Sequence, residues 1–181
     1  QFYHVCKDPE DKIKFLEEYL KVNAQSDRVI IFVNKKDFVI SIQQKLRERG
    51  YRVHVLMGGD TMDLKERDLT IEKFRKGEIQ ILITTNLLAR GYDERLIKLV
   101  INFDIPIRKD PHFPEFEADP EVYLHRIGRT GRFGSKGIGL NLCCGKFDES
   151  NLKSIEKFYN TKIEELKDLD QLIEELKKLT L

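Results

Sequence analysis

With 181 residues, of which 40% are hydrophobic and 35% charged, the chain is long enough to build one compact domain with a sizeable core. Lys and Arg number 32 against 31 Asp and Glu, a formal charge of +1, so bulk charge does not mark a nucleic-acid binder, although a basic face can sit opposite an acidic one. Three cysteines, two of them adjacent, give neither a disulfide framework nor metal-ligand spacing, and no apolar run reaches transmembrane length.

FYHVC (2–6) reads as an edge strand, followed by a helix over 10–22. RVIIFV (28–33) reads as a buried strand. Residues 37–49 repeat at helical period, with Phe38, Ile42 and Leu46 inward and Gly50 as the stop. YRVHVLM (51–57) is a second buried run, and GGD (58–60) a turn. Residues 63–75 predict a helix that points Leu64, Ile71 and Phe74 inward. IQILIT (79–84), LIKLVINF (96–103) and GIGLNLCC (137–144) predict further strands, and 148–159 a helix capped by Asp148. Strands alternating with helices predict an α/β fold, with a mostly parallel sheet covered on both faces. One domain spans 1–181. Residues 104–120, with four of the five prolines, form a long Pro-rich loop, and 162–181 is a charged amphipathic segment that suits either a packed helix or a partner surface.

Two segments carry chemistry. TTNLLARGYDE (84–94) leaves a strand at its carboxyl end, where α/β sheets bind ligands, and offers hydroxyls, an amide, Arg90, Gly91 and Asp93. Such groups suit phosphates and sugars, and equally a strand-to-helix cap with a surface arginine. YLHRIGRTGRFG (123–134) spaces Arg126, Arg129 and Arg132 three apart among glycines. Guanidinium forks match phosphate, and glycine lets backbone approach an anion or pack tightly. One of the arginines also suits a structural pairing in the core. The sequence has no GxxxxGK[ST] loop and no HExxH or CxxC, and His4, His54, His112 and His125 have no ligand spacing. His54 reads as a strand-surface residue. A phosphate-facing half without a nucleotide-gripping half is the chemistry of an arginine finger lent to a neighbouring domain.

Over nearly its whole length the chain resembles the second RecA-like domain of DEAD-box RNA helicases. IIFVNKK (30–36) is similar to motif IV, LKERD (64–68) to the RNA-side region, TTNLLARGYD (84–93) to motif V, and HRIGRTGR (125–132) to motif VI. Asn86, and NFDIP followed by a long loop, resemble the mRNA-export branch, which acts at the cytoplasmic face of the nuclear pore. The resemblance implies a RecA-like three-layer sandwich. It implies that Arg129 and Arg132 approach the γ-phosphate of ATP and that His125 couples nucleotide to domain closure. Gly91 and Asp93 would lie against the nucleotide, with Asp93 on the ribose. Arg67, Thr85 and Arg90 would contact the RNA backbone, and Arg126 would be structural or interdomain. ATP with Mg²⁺ would be held mainly by an N-terminal RecA-like domain, and no metal ligand is expected in this chain. Implied partners are that domain, single-stranded RNA, and a nucleoporin-anchored activator with an inositol phosphate, without membrane insertion. Implied localisation is cytoplasm and nucleus. Starting at Gln1 rather than Met, the chain reads as a fragment that is inactive alone. A docking module for a helicase activator, and a domain of another superfamily 2 helicase, are the alternatives. Leu64 in place of the usual Gln, Tyr92 in place of a smaller aliphatic, and the longer turn MGGDT (57–61) depart from the family pattern.

Overall fold

The computed structural model describes residues 1–23, 28–58, 61–85, 97–108, 117–131 and 136–179. In chain order the elements are β1 (Phe2–Cys6), α1 (Pro9–Asn23), β2 (Arg28–Phe32), α2 (Lys36–Glu48), β3 (Val53–Leu56), α3 (Leu64–Lys76) and β4 (Ile81–Thr84). Then follow β5 (Ile97–Asn102), α4 (Pro120–Ile127), β6 (Ile138–Cys144), α5 (Gly145–Tyr159), β7 (Glu164–Glu165) and α6 (Leu169–Lys178). The strands form one seven-stranded sheet in the order β3-β4-β2-β5-β6-β1-β7. Each adjacent pair is parallel.

Strand alternation sorts the apolar residues onto two faces. Val29 and Ile31 of β2 join the core built with Leu16 and Tyr19 of α1, Ile42 and Leu46 of α2, and Leu172 and Leu176 of α6. Ile30 and Phe32 turn the other way and pack with Phe74 of α3. Farther along that face, Tyr123 of α4 packs with Leu152 and Ile155 of α5. Both faces of the sheet are therefore covered, as a doubly wound sandwich requires. Helix ends carry local signals. Asp63, Asp119 and Asp168 cap α3, α4 and α6 by accepting from backbone N–H groups three residues on, and Gly77 closes α3 at a φ of 79°. Cys6 and Cys143 are free and buried, and burial pushes each thiol up to about 12.

Several sequence expectations need correction. β1 is interior, because the two-residue β7 pairs with Phe2 and Tyr3 on its outer side. Phe38 is 47% exposed, and Val39 takes the buried place beside Ile42 and Leu46. A stripe at i, i+3 and i+7 replaced the inferred i, i+4 and i+8, and both fit helical period. Leu64 is 71% exposed, leaving Phe74 to anchor α3. α5 begins at Gly145, and the Asp148 carboxylate reaches back to the Cys144 N–H at 2.8 Å instead of opening the helix itself. Residues 104–120 are not wholly irregular: Ile107 bridges Ala118 in antiparallel fashion, and α4 starts at Pro120. Residues 109–116 of that segment lie outside the described residues.

Because Phe74 is fully buried and holds α3 to the sheet, Phe74→Ala is expected to cost about 3–5 kcal/mol of stability. Urea unfolding of the chain, followed by circular dichroism, measures this directly.

Candidate functional site

The arginine-rich segment begins on α4, which Asp119 caps and Pro120 opens. The helix ends at Ile127, and Gly128 makes the turn. A Cβ on Gly128 would stand 2.8 Å from the Leu124 carbonyl oxygen, which already accepts from the Gly128 N–H. Only glycine allows that approach. Thr130 then pins the turn, its Oγ1 donating to the carbonyl of Ile97 at 2.7 Å. Gly137, on the return to β6, packs so closely on Thr130 that any Cβ there would overlap the threonine side chain.

Arg126 is 1% exposed. Its Nη2 donates to Asn34 Oδ1 at 2.8 Å, and its Nη1 to the Asp104 carbonyl at 2.8 Å and to Asn102 Oδ1 at 3.3 Å. The guanidinium also lies over the Phe32 ring, 5.2 Å from its centroid. Burial lowers its pKa to about 10, against the carboxylates of Asp104 and Asp119, so the group stays charged at neutral pH. Its acceptors are fixed in turn. Asn34 donates through Nδ2 to the Ile105 carbonyl, and its N–H donates to Asp104 Oδ2. Asn102 Nδ2 donates to Asn141 Oδ1 at 2.9 Å, and Asn141 Nδ2 donates to the Phe2 carbonyl and the Tyr123 hydroxyl. Tyr123 donates to Gln1 Oε1 at 2.8 Å. Sequence reading missed this network. Its signal was an asparagine inside each of two apolar runs, LVINF and GLNLCC, at positions with no solvent exposure.

Arg129 follows the helix and is 7% exposed, with Nε donating to the His125 carbonyl at 3.0 Å. His125 itself is exposed. Arg132, Arg90, Gly91 and Asp93 lie outside the described residues. Arg67 and Thr85 lie at the other end of the sheet. Thr85 follows the last residue of β4, while the Thr130 anchor, Ile97, is the first residue of β5. The six residues of β5 separate those ends by roughly 16 Å. Thr84 Oγ1 stands 2.8 Å from the Leu56 carbonyl and joins the carboxyl ends of β3 and β4 beneath Thr85. Arg67, in the first turns of α3, is half-buried, and its Nε has no hydrogen-bond partner among the described residues. Lys36 braces the same end by donating to the Gly58 carbonyl and Thr61 Oγ1. Among the described residues no group of three acidic, His or Cys side chains is placed to hold a metal.

A parallel sheet with an arginine-bearing turn at one end, a polar shelf at the other and no phosphate loop defines a RecA-like domain of the second kind. Residues 11–134 match the helicase conserved C-terminal domain family. Over 180 residues the chain is 40% identical to the ATP-dependent RNA helicase dbp5 of Aspergillus clavatus, covering 98% of this chain and 36% of that protein. S. cerevisiae Dbp5 bound to RNA and ADP BeF3 matches with a TM-score of 0.89 and 35% identity, over 100% of this chain and 45% of that one. A variant C-terminal domain of S. cerevisiae Dbp5, bound to a Gle1 variant and IP6, matches with a TM-score of 0.80 and 33% identity, over 99% and 97% of the two chains. The chain thus belongs to the helicase conserved C-terminal domain family, as the second RecA-like domain of the Dbp5 branch of DEAD-box proteins. It spans about a third of the length of the curated relatives it matches.

Asn141→Leu keeps side-chain size but takes the acceptor from the Asn102 amide and the side-chain donor from the Phe2 carbonyl, while the Tyr123 hydroxyl keeps its bond to Gln1. Each orphaned group costs about 1–3 kcal/mol. A lower urea midpoint than that of Thr130→Val, which removes one hydrogen bond, is the expected outcome.

Proposed function

We propose that this chain is the C-terminal half of an ATP-dependent RNA helicase that unwinds duplexes locally and remodels ribonucleoprotein during mRNA export. The observation that carries the reading is the arginine turn, fixed by the Arg126 network in a chain that has no phosphate loop of its own. Guanidinium groups and backbone N–H groups fit phosphate oxygens, while the metal and most of the nucleotide belong to an N-terminal RecA-like domain. ATP with Mg²⁺ supplies the phosphoryl group whose developing charge needs stabilising.

On domain closure, Arg129 and Arg132 stabilise charge on the transferring phosphoryl oxygens. Arg126 holds the turn that carries them, and His125, exposed on the same helix, links that turn to the opposite domain. Asp93 accepts from ribose hydroxyls beside Gly91. At the other end of the sheet, Arg67, Thr85 and Arg90 bind RNA phosphates and sugars and leave the bases unread, which makes binding independent of sequence. The partners follow the Dbp5 relatives: single-stranded RNA, and a Gle1-like activator with an inositol phosphate. Partners of this kind support a location in cytoplasm and nucleus, at the cytoplasmic face of the nuclear pore.

A second reading, in which the domain serves as a docking module for the activator, is favoured by one observation. The S. cerevisiae C-terminal domain alone was captured with a Gle1 variant and IP6. Deletion of 109–116 or of α6, followed by activator binding, separates docking from catalysis.

The isolated chain is expected to show no steady-state ATP hydrolysis. Turnover by the purified chain that disappears in Arg129→Ala would overturn the division of labour. In the full-length protein, Arg129→Ala is expected to lower kcat by 10³-fold or more, on the order seen for arginine fingers, while RNA affinity changes little. Equal losses in both would move Arg129 out of the nucleotide site.

A further inference from the structure

A cavity of about 570 Å³ lies at the amino-terminal ends of β3 and β4, lined among others by Tyr51, Arg52, His54, Glu78 and Gln80. It is at the opposite end of these strands from Thr85, so it is separate from the RNA-facing shelf proposed above. The two chain segments that enter it turn at Gly50 and Gly77, with φ of 88° and 79°. No atom lies within 4 Å of the position of a Gly50 Cβ, which keeps that side open.

The lining is polar, and further positive charge stands behind it. His54 Nδ1 is buried and has no hydrogen-bond partner among the described residues. Arg52, immediately before β3, is exposed and contributes to the lining. Arg47 of α2 and Lys73 of α3 approach from two helices, and Arg28 of β2 brings Nη2 within 3.0 Å of the site a Gly77 Cβ would occupy. Glu78 is the one acid in the lining. Arg52 in the lining, Arg47 and Lys73 behind it and an imidazole nitrogen without a partner among the described residues, set against the Glu78 carboxylate, suit an anionic guest.

We propose that this cavity binds a phosphate-type oxyanion, with His54 Nδ1 donating to it and Arg52 supplying the principal charge. The protein's own charges already set up the field such a guest would neutralise. His54 is held below the ordinary histidine range by burial first, then by the positive charges of Arg47 and Lys73. An anion beside the ring reverses the electrostatic part. The sign follows: bound phosphate favours the imidazolium, so the His54 pKa rises, and by linkage phosphate binds more tightly as pH falls through that value.

Histidine side-chain NMR of the 181-residue chain, titrated with inorganic phosphate against sodium chloride at matched ionic strength, tests the site. Saturable movement of the His54 resonances is expected, with its pKa raised by about one unit, while His4 moves little. Arg52→Ala, a change at an exposed position, is expected to weaken phosphate binding at least fivefold. A parallel titration with O-phosphoserine identifies the source of the head group: tighter binding assigns a phosphorylated ligand, equal binding the free ion. Unsaturable movement, movement matched by chloride, or binding unchanged in Arg52→Ala would overturn the proposal.

Discussion

A buried guanidinium seated on neutral oxygens is the constraint around which this domain is arranged. Removing Arg126 from water is costly. Neutral oxygens from Asn34, Asn102 and the Asp104 backbone offset the cost, with the face of Phe32 beneath. The carboxylates of Asp104 and Asp119 act from farther away, opposing the fall in pKa that burial imposes. An amide can serve such a cation only if its oxygen faces it, and an unconstrained amide can flip. Here each amide is oriented by the next group, from Asn102 to Asn141 to Tyr123 and finally to Gln1. The ends of β2 and β5, the middle of β6, the start of β1 and helix α4 are thereby one polar unit inside an apolar sandwich. None of its members can be moved without leaving another unsatisfied.

The turn that carries Arg129 inherits this rigidity. Its glycines serve close packing against the chain itself: Gly128 against the Leu124 carbonyl, Gly137 against Thr130. A finger presented by such a turn loses little freedom when it meets its target, which is what preorganised charge stabilisation requires. Because the turn is anchored at the amino end of β5 and Thr85 stands beyond the carboxyl end of β4, the two expected binding faces share strands but not a surface. On the proposed reading, one stiff sheet carries both contacts, so domain closure moves them together.

Much of this was legible in the sequence where one signal dominated. Apolar runs between turn residues located the strands, and Gly50 marked the end of α2. Where two placements satisfied the same period, the sequence alone was ambiguous. Phe38 and Val39 both continue a helical stripe, and only the position of α2 on the sheet selects valine. β1 was read as an edge because a two-residue strand of exposed glutamates carries no strand signal. The motif arginines were visible as charge, and the family resemblance alone singled out Arg126 as structural or interdomain; the residues by themselves did not make that division. That division depends on Asn34, Asn102 and Asn141, which are brought together from three strand regions far apart in sequence.

Leu64 shows how the fold and the proposed RNA-facing shelf are decoupled. It opens α3 one turn before Arg67 and is largely exposed. An apolar residue in that position contributes little core burial, so its presence places few demands on packing. Thr70, Ile71 and Phe74 supply the burial from the later turns of the helix. The first turn of α3 is therefore free to vary in what it offers a ligand while the helix stays seated. The Arg126 turn has less freedom, since Arg126 belongs to the buried network, Thr130 is bonded to β5, and Gly128 and Gly137 leave no room for a side chain. Variation in this domain is expected to collect on the shelf and to spare the turn, because only the shelf can change without reopening a buried polar account.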